Sequence, residues 1–136
     1  MKRTVLIVDD DPKFLTFMSR TLKRAGFQTL TANDGCEVRD LLLSTPVDVL
    51  VLDLQMPGMN GWEVLRNLRK RPIGAPVKLV SGQPRPKVIV VSGRNEDDTV
   101  SFVQRLGADA YLTKPFWREQ ILATVQKVLG SEPAAS

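Results

Sequence analysis

Short apolar runs alternate along this chain with segments whose apolar residues recur every three or four positions. The runs are TVLIV (4–8), FQTLT (27–31), DVLVL (48–52), KVIVV (87–91) and DAYLT (109–113). The first, third and fourth are almost continuously β-branched or aliphatic, which is typical of strands covered on both faces of a parallel sheet. In the segments between the runs, the apolar residues have the spacing of amphipathic helices that lie on a sheet. Because strand and helix alternate five times, the pattern predicts (βα)5, a doubly wound α/β domain.

Composition narrows the class of protein. The 136 residues suffice for one domain with its own core, and the single cysteine, Cys36, cannot form an internal disulfide. The first apolar run is too short for a signal-peptide core, and no run reaches the roughly 18 apolar residues of a membrane span. We therefore expect a cytoplasmic protein that does not bind membranes. The absence of histidine removes the commonest general base and nitrogen ligand for metals.

Positive charge is concentrated in one stretch of the chain. The net charge is +4, yet residues 64–95 contain eight lysines and arginines and no acid. Such a stretch could dock an acidic partner or a nucleic acid. A solvated helix face followed by a basic loop explains it more simply, and we favour this interpretation. Direct binding of nucleic acid by the domain is accordingly not expected.

One segment interrupts the alternation. Residues 72–86, PIGAPVKLVSGQPRP, contain four of the nine prolines. Within them, APVKLVSG resembles RPKVIVVSG (85–93) closely enough to compete for the position of the fourth strand. We interpret 72–86 as a loop inserted between the third helix and the fourth strand, with room for a short extra strand at its centre. The domain then covers residues 1–130, and SEPAAS (131–136) is predicted to be a flexible tail or a truncated linker.

Polar side chains stand where the predicted strands end. They are Asp9, Asp10 and Asp11 after the first strand, Asp53 after the third, Ser92 after the fourth and Lys114 after the fifth. Ligands of doubly wound sheets bind beyond the carboxyl ends of the strands, so we expect these groups to share one crevice. The three consecutive aspartates could instead cap the first helix, and for Asp11, which precedes Pro12, we expect that role.

Carboxylates gathered in one crevice repel one another by on the order of 4 kcal/mol per pair at about 4 Å. Either one acid stays protonated, or a cation binds. Oxygen ligands without sulfur or imidazole favour a hard divalent ion, and Mg²⁺ held by one or two carboxylates indicates phosphate chemistry. Asp53 is then the natural nucleophile for a phosphoryl group. Lys114 can neutralise charge on the phosphoryl oxygens, and Ser92 can donate a hydrogen bond to them.

Four segments of the chain carry a resemblance to a known family. They are LIVDDDP (6–12), VLVLDLQMPGMNGWEVL (49–65), VIVVSGRNED (88–97) and GADAYLTKPF (107–116). Together they resemble the receiver domain of bacterial two-component response regulators, chemotaxis regulators included, from residue 3 to about residue 129. The resemblance implies a flavodoxin-like sheet of five parallel strands in the order 2-1-3-4-5. Ser92, unlike Ser81, stands at the family's usual interval before Lys114, which supports an insertion within 72–86.

The resemblance implies that Asp53 is the phosphoacceptor of a metal-dependent site. Asp10 and Asp53 would be direct ligands of Mg²⁺ or Mn²⁺, together with the main-chain carbonyl of Gln55, and Asp9 would act indirectly. Gln55 and Arg94 occupy positions that tune the lifetime of the phosphoryl group in this family.

The resemblance also implies a conformational switch. Ser92 would turn toward the phosphate, and Tyr111 would be the switch aromatic that turns inward after it. Lys114 would be the site's invariant-type lysine, and Lys114–Pro115 would be a cis peptide.

The function implied is a signalling receiver that takes a phosphoryl group from a histidine kinase or a histidine phosphotransfer protein. It would catalyse only its own phosphorylation and dephosphorylation, and would control a downstream protein or an output domain. Two alternatives stay open, a Mg²⁺-dependent aspartyl-phosphate phosphohydrolase and a pseudo-receiver that only binds. Gln55 stands where such hydrolases usually carry an acid, and the presence of every expected site residue argues against a pseudo-receiver.

Overall fold

Five parallel strands form the central sheet of the computed structural model, which describes residues 2–56, 59–60, 86–93, 104–105 and 107–130. The strands are β1 (Thr4–Val8), β2 (Gln28–Ala32), β3 (Val49–Asp53), β4 (Lys87–Ser92) and β5 (Ala110–Thr113). Their order across the sheet is β2-β1-β3-β4-β5, and every neighbouring pair is parallel. The predicted doubly wound, flavodoxin-like order 2-1-3-4-5 is confirmed. The sequence predicts that Asp53 and Ser92 directly follow their strands. In the structure each is instead the last residue of its strand.

Helices cover both faces of this sheet. Helix α1 (Pro12–Arg24) and the last helix (Arg118–Gly130) pack on one face, and α2 (Gly35–Ser44) packs on the other. A hairpin of two-residue strands, Gln55–Met56 with Met59–Asn60, follows β3. In the described part of the chain, no helix has both the length and the apolar character needed to cross a bilayer.

Several predictions concern residues that the structure does not describe. The predicted third helix falls among them, as does the predicted fourth helix except for Gln104 and Arg105, which are helical. The tail 131–136 and, except for Pro86, the predicted insertion at 72–86 also fall among them. The proposed division into a domain, an inserted loop and a tail therefore remains a prediction.

The two helix layers share the central strands by simple alternation. Val5 and Ile7 of β1 face α1 and the last helix, whereas Leu6 and Val8 face α2. All four side chains are at most 1% exposed, and β3 repeats the pattern. Because neither face of these strands meets water, they consist almost entirely of apolar residues, and polar side chains occur chiefly at the strand ends.

The ends of α1 are set by its own sequence. The Asp11 carboxylate accepts a hydrogen bond from the Lys13 N–H at 3.0 Å, and Pro12 occupies the first turn. Asp11 is thus the helix cap, as predicted. At the other end Gly26 has φ 98°, a left-handed conformation that favours glycine and turns the chain toward β2. Because α1 starts soon after β1 ends, it begins at the carboxyl edge of the sheet, beside Asp9 and Asp10.

Two aspartates at the opposite, amino-terminal edge link neighbouring strands. The Asp48 N–H donates to the Thr4 carbonyl at 2.9 Å, and the Asp48 carboxylate accepts the Thr4 N–H at 2.8 Å. Asp109 makes the same pair of hydrogen bonds with Val88, each at 2.8 Å. The sequence predicts both aspartates inside strands. Each instead stands immediately before one, where its side chain accepts a hydrogen bond from a strand N–H.

Asp48→Ala is expected to lower the free energy of unfolding by about 1–3 kcal/mol, because it leaves the N–H of the nearly buried Thr4 without its acceptor. Urea unfolding followed by circular dichroism measures the difference. The matched control is Asp40→Ala on the exposed side of α2, for which we expect a change of no more than about 0.5 kcal/mol. Equal effects of the two substitutions would contradict the linking role of Asp48.

Candidate phosphorylation and metal site

Three carboxylates converge at the carboxyl edge of the sheet. Asp9 and Asp10 follow β1, and Asp53 ends β3, the neighbouring strand. One oxygen from each lies within 4.8 Å of the others. Asp9 is 1% exposed and Asp53 6% exposed, whereas Asp10 faces solvent. The carboxylates at the ends of β1 and β3 therefore lie together, with one acid accessible and two largely buried.

Lys114 directly follows β5 and contacts two carboxylates of this cluster. Its Nζ donates to Asp9 Oδ2 at 2.8 Å and to Asp53 Oδ2 at 3.5 Å. Its backbone N–H donates to the Ser92 carbonyl at 2.8 Å, which attaches it to the end of β4. The Lys114–Pro115 peptide is cis, as predicted. The lysine is thus held at both its backbone and its ammonium group.

The charge of the cluster favours a further cation. Burial is the largest single influence on the Lys114 ammonium and lowers its pKa. The hydrogen bond to Asp9, the charges of Asp53 and Asp9 and the hydrogen bond to Asp53 together outweigh it, so the pKa is raised. Lys114 is therefore a cation at neutral pH. Among the described residues, the Lys114 ammonium contacts two of the three carboxylates, those of Asp9 and Asp53. Two carboxylates about 4 Å apart repel by on the order of 4 kcal/mol at an effective dielectric constant near 20, and exposure of Asp10 reduces its share.

The donor atoms of the cluster fit a hard divalent cation. All three are carboxylate oxygens close enough to approach one ion, and such ligands suit Mg²⁺ or Mn²⁺ better than zinc. Asp9 and Asp10 differ in whether their carboxylate oxygens already accept hydrogen bonds inside the protein. Asp9 accepts the Asp11 N–H at 2.9 Å with one oxygen and Lys114 with the other, whereas Asp10 is open to an arriving hydrated ion.

Of the remaining predicted site residues, the structure describes Ser92, Tyr111 and the backbone of Gln55. Ser92 ends β4 and is 1% exposed; the residue before it, Val91, is paired with Asp53 across the sheet. Tyr111 lies in β5, half-buried against the core on the α2 face. The backbone of Gln55 begins the hairpin after β3. Arg94 lies outside the described residues.

One neighbour of Lys114 is absent from the sequence-based predictions of the site. The ring centroid of Phe14, in the first turn of α1, lies 4.2 Å from Lys114 Nζ. The ring of Phe116 meets that of Phe14 edge-on at 6.0 Å and 89°. The apolar periodicity of α1 identifies Phe14 only as a core-facing residue. Its position directly after the capped helix start, at the same edge as Lys114, is the signal that could have revealed the contact.

Comparisons with known proteins identify the family to which this chain is similar. Residues 5–126 match the family described as the response regulator receiver domain. The alkaline phosphatase synthesis transcriptional regulatory protein PhoP of Bacillus subtilis (strain 168) is 30% identical over 95% of this chain and 49% of its own length. This chain thus spans about half the length of that curated relative.

Solved structures give the same result. The chemotaxis protein CheY4 of Vibrio cholerae has a TM-score of 0.81 at 28% identity, with 94% of this chain and 99% of that chain covered. The receiver domain of the Francisella response regulator 1452 has a TM-score of 0.79 at 30% identity, with 95% and 98% covered.

Proposed function

The chain belongs to the response regulator receiver domains, and on this premise we propose that it accepts a phosphoryl group on Asp53 in a reaction that depends on Mg²⁺. Receiver domains are signalling modules rather than conventional enzymes, and they interact with histidine kinases and output targets. The observation that carries the proposal is the convergence of Asp9, Asp10 and Asp53 within 4.8 Å, with the Lys114 ammonium on two of them. The donor we propose is a phosphohistidine on a kinase or phosphotransfer protein.

The residues divide the work of phosphoryl transfer among them. An Asp53 oxygen, mounted on the rigid end of β3, attacks phosphorus and forms a new O–P bond. The N–P bond of the donor breaks, and its electron pair stays on the donor's imidazole nitrogen. Lys114 neutralises charge on the phosphoryl oxygens, and the Ser92 hydroxyl donates a hydrogen bond to one of them. Positioning and charge neutralisation of this kind supply most of the acceleration of phosphoryl transfer.

The same residues would hold the metal ion. We assign Asp10, Asp53 and the main-chain carbonyl of Gln55 as direct ligands of Mg²⁺ or Mn²⁺, and Asp9 as an indirect one. The exposure of Asp10 and the double engagement of Asp9 support this division. A bound divalent ion would neutralise the carboxylates and polarise the phosphoryl oxygens.

Phosphorylation would then act as a switch. It adds about −1.5 to −2 charge at Asp53, next to Lys114 and one strand from the end of β4. We propose that Ser92 moves toward this charge and that Tyr111 follows, which alters the surface offered to a downstream protein or output segment. Gln55 and Arg94 are proposed to set how long the phosphoryl group survives, a role that includes any self-catalysed hydrolysis.

Labelling with a small-molecule phosphodonor tests the proposal. Incubated with radiolabelled acetyl phosphate and Mg²⁺, the protein is expected to take up one label per chain, which hydroxylamine releases as expected of an acyl phosphate. Chelation of the metal should prevent uptake. Absence of labelling under these conditions would contradict the assignment, and continuous release of phosphate without a labelled protein would favour a phosphohydrolase.

A further inference from the structure

We propose that Phe14 is a positioning residue for Lys114: the face of its ring holds the lysine ammonium over the phosphorylation site without competing for the metal ion. The inference rests on the proposed function for the role of Lys114, but the contact itself does not. It assigns to one aromatic side chain of α1 a part in the reaction that apolar packing alone does not require.

The geometry places the ammonium within reach of the ring. Lys114 Nζ lies 4.2 Å from the Phe14 centroid, well inside the roughly 6 Å over which a cation is attracted to an aromatic face. The ring is itself held in place. Phe14 is half-buried against the core formed by α1 and the last helix, and Phe116 meets it edge-on at 6.0 Å. A fixed ring can therefore fix the flexible end of a lysine.

The need for such a contact follows from what the metal ion does to the other partners of Lys114. In the structure the ammonium is held by Asp9 at 2.8 Å and by Asp53 at 3.5 Å. A divalent cation bound to the cluster attracts those carboxylates and repels the ammonium, so both contacts weaken when the reaction needs the lysine in place. The side chain would then gain freedom along its four-carbon stem.

An aromatic ring answers this need better than another acid. A further carboxylate would also hold the ammonium, but it would add to the repulsion within the cluster and offer the metal an extra ligand. The ring attracts the cation through its quadrupole and has neither a formal charge nor an oxygen atom. The contact of Lys114 with Phe14 therefore does not involve the carboxylates that a metal ion would bind.

Stepwise fluorination of the ring tests the proposal, because fluorine weakens the quadrupole with little change of shape. Phenylalanine analogues with one, two and three fluorines are incorporated at position 14, and the rate of labelling by acetyl phosphate is measured at saturating Mg²⁺. We expect the rate to fall with each fluorine, by about tenfold over the series. The matched control is the same series at Phe17, whose ring packs on those of Phe14 and Phe116, and there we expect no trend.

The outcomes separate this inference from the proposed function. If the unmodified protein is labelled but fluorination at position 14 has no effect, or the same effect as at position 17, the inference is overturned. If the unmodified protein takes no label, the proposed function has failed, and nuclear magnetic resonance of the Lys114 ε-methylene group then decides. An upfield ring-current shift that disappears in Phe14→Leu supports the contact, and identical shifts in both proteins overturn it.

Discussion

Replacing Asp53 by asparagine is expected to abolish phosphorylation and, in the same protein, to increase stability. The amide has no anionic oxygen to attack phosphorus, so labelling by acetyl phosphate should fall by on the order of a thousandfold or more. Asparagine has nearly the same shape as aspartate, so the end of β3 should keep its backbone pairing with β4. Labelling per chain, compared with the unmodified protein in Mg²⁺, measures the first effect.

The gain in stability follows from the charges around Asp53. Asp53 is 6% exposed, its carboxylate lies close to those of Asp9 and Asp10, and the Lys114 ammonium is 3.5 Å from it. Asparagine removes the repulsion from the Asp9 and Asp10 carboxylates together with the charge attraction to Lys114. In chelator at neutral pH, the free energy of unfolding should therefore rise by on the order of 1 kcal/mol.

Urea unfolding of Asp53→Asn measures the second effect, with Asp40→Asn on the exposed side of α2 as the matched control. We expect the control to leave both labelling and stability unchanged. A loss of stability in Asp53→Asn would mean that the attraction to Lys114 exceeds the repulsion between the acids. The cluster would then have no electrostatic need for a metal ion.

The parts of this site that the sequence predicts share one physical origin. The strands that hold Asp53 and Ser92 are buried on both faces, so a polar residue at their ends is conspicuous among apolar neighbours. Parallel strands bring those ends to one edge whatever the lengths of the connections between them. Lys114 follows a shorter strand, but its place in the same alternation leads to the same edge. Asp53, Ser92 and Lys114 can thus be brought together without knowing any side-chain contact.

The parts that the sequence misses depend on contacts between distant residues. The periodicity of α1 gives Phe14 an inward direction but does not say that Lys114 lies beside it. The hydrogen bonds of Asp48 and Asp109 to neighbouring strands are equally invisible, because an aspartate before a strand reads the same whether or not its side chain accepts an N–H. The apolar pattern that predicts the end of β1 does not say which of Asp9 and Asp10 is buried. The structure buries the first and exposes the second, because successive side chains of an extended chain point in opposite directions.

Replacing Lys114 by methionine is expected to destabilise the protein strongly in the absence of divalent metal. Methionine keeps much of the length of the side chain but leaves the largely buried carboxylates of Asp9 and Asp53 without their ammonium partner. Breaking a fully buried ion pair costs about 3–5 kcal/mol. The Lys114 side chain is 29% exposed, so solvent screens part of this effect, and we expect a loss of about 2 kcal/mol.

Mg²⁺ should restore much of that loss. A ligand that binds only the folded state stabilises it by an amount that grows with the logarithm of its concentration divided by its dissociation constant. Without the ammonium the carboxylates should bind the ion more tightly. The difference in unfolding free energy between Lys114→Met and the unmodified protein should therefore narrow as Mg²⁺ is added. Lys127→Met, on the exposed side of the last helix, is the control and should show neither the loss nor the recovery. A difference that Mg²⁺ does not change would mean that the lysine and the metal do not share these carboxylates.

The difference in unfolding free energy between Lys114→Met and the unmodified protein should also depend on pH, which gives an independent test. Because its partners raise the pKa of Lys114 in the folded protein above the ordinary lysine value of 10.5, the stability that Lys114 contributes is complete below pH 10.5. It is lost as the pH rises through the higher folded value. The difference in unfolding free energy between the two proteins should thus stay constant from neutral pH to 10.5 and become smaller above pH 10.5. Comparing the two proteins isolates the contribution of Lys114. Narrowing that begins well below pH 10.5 would show that the ammonium is not stabilised by Asp9 and Asp53.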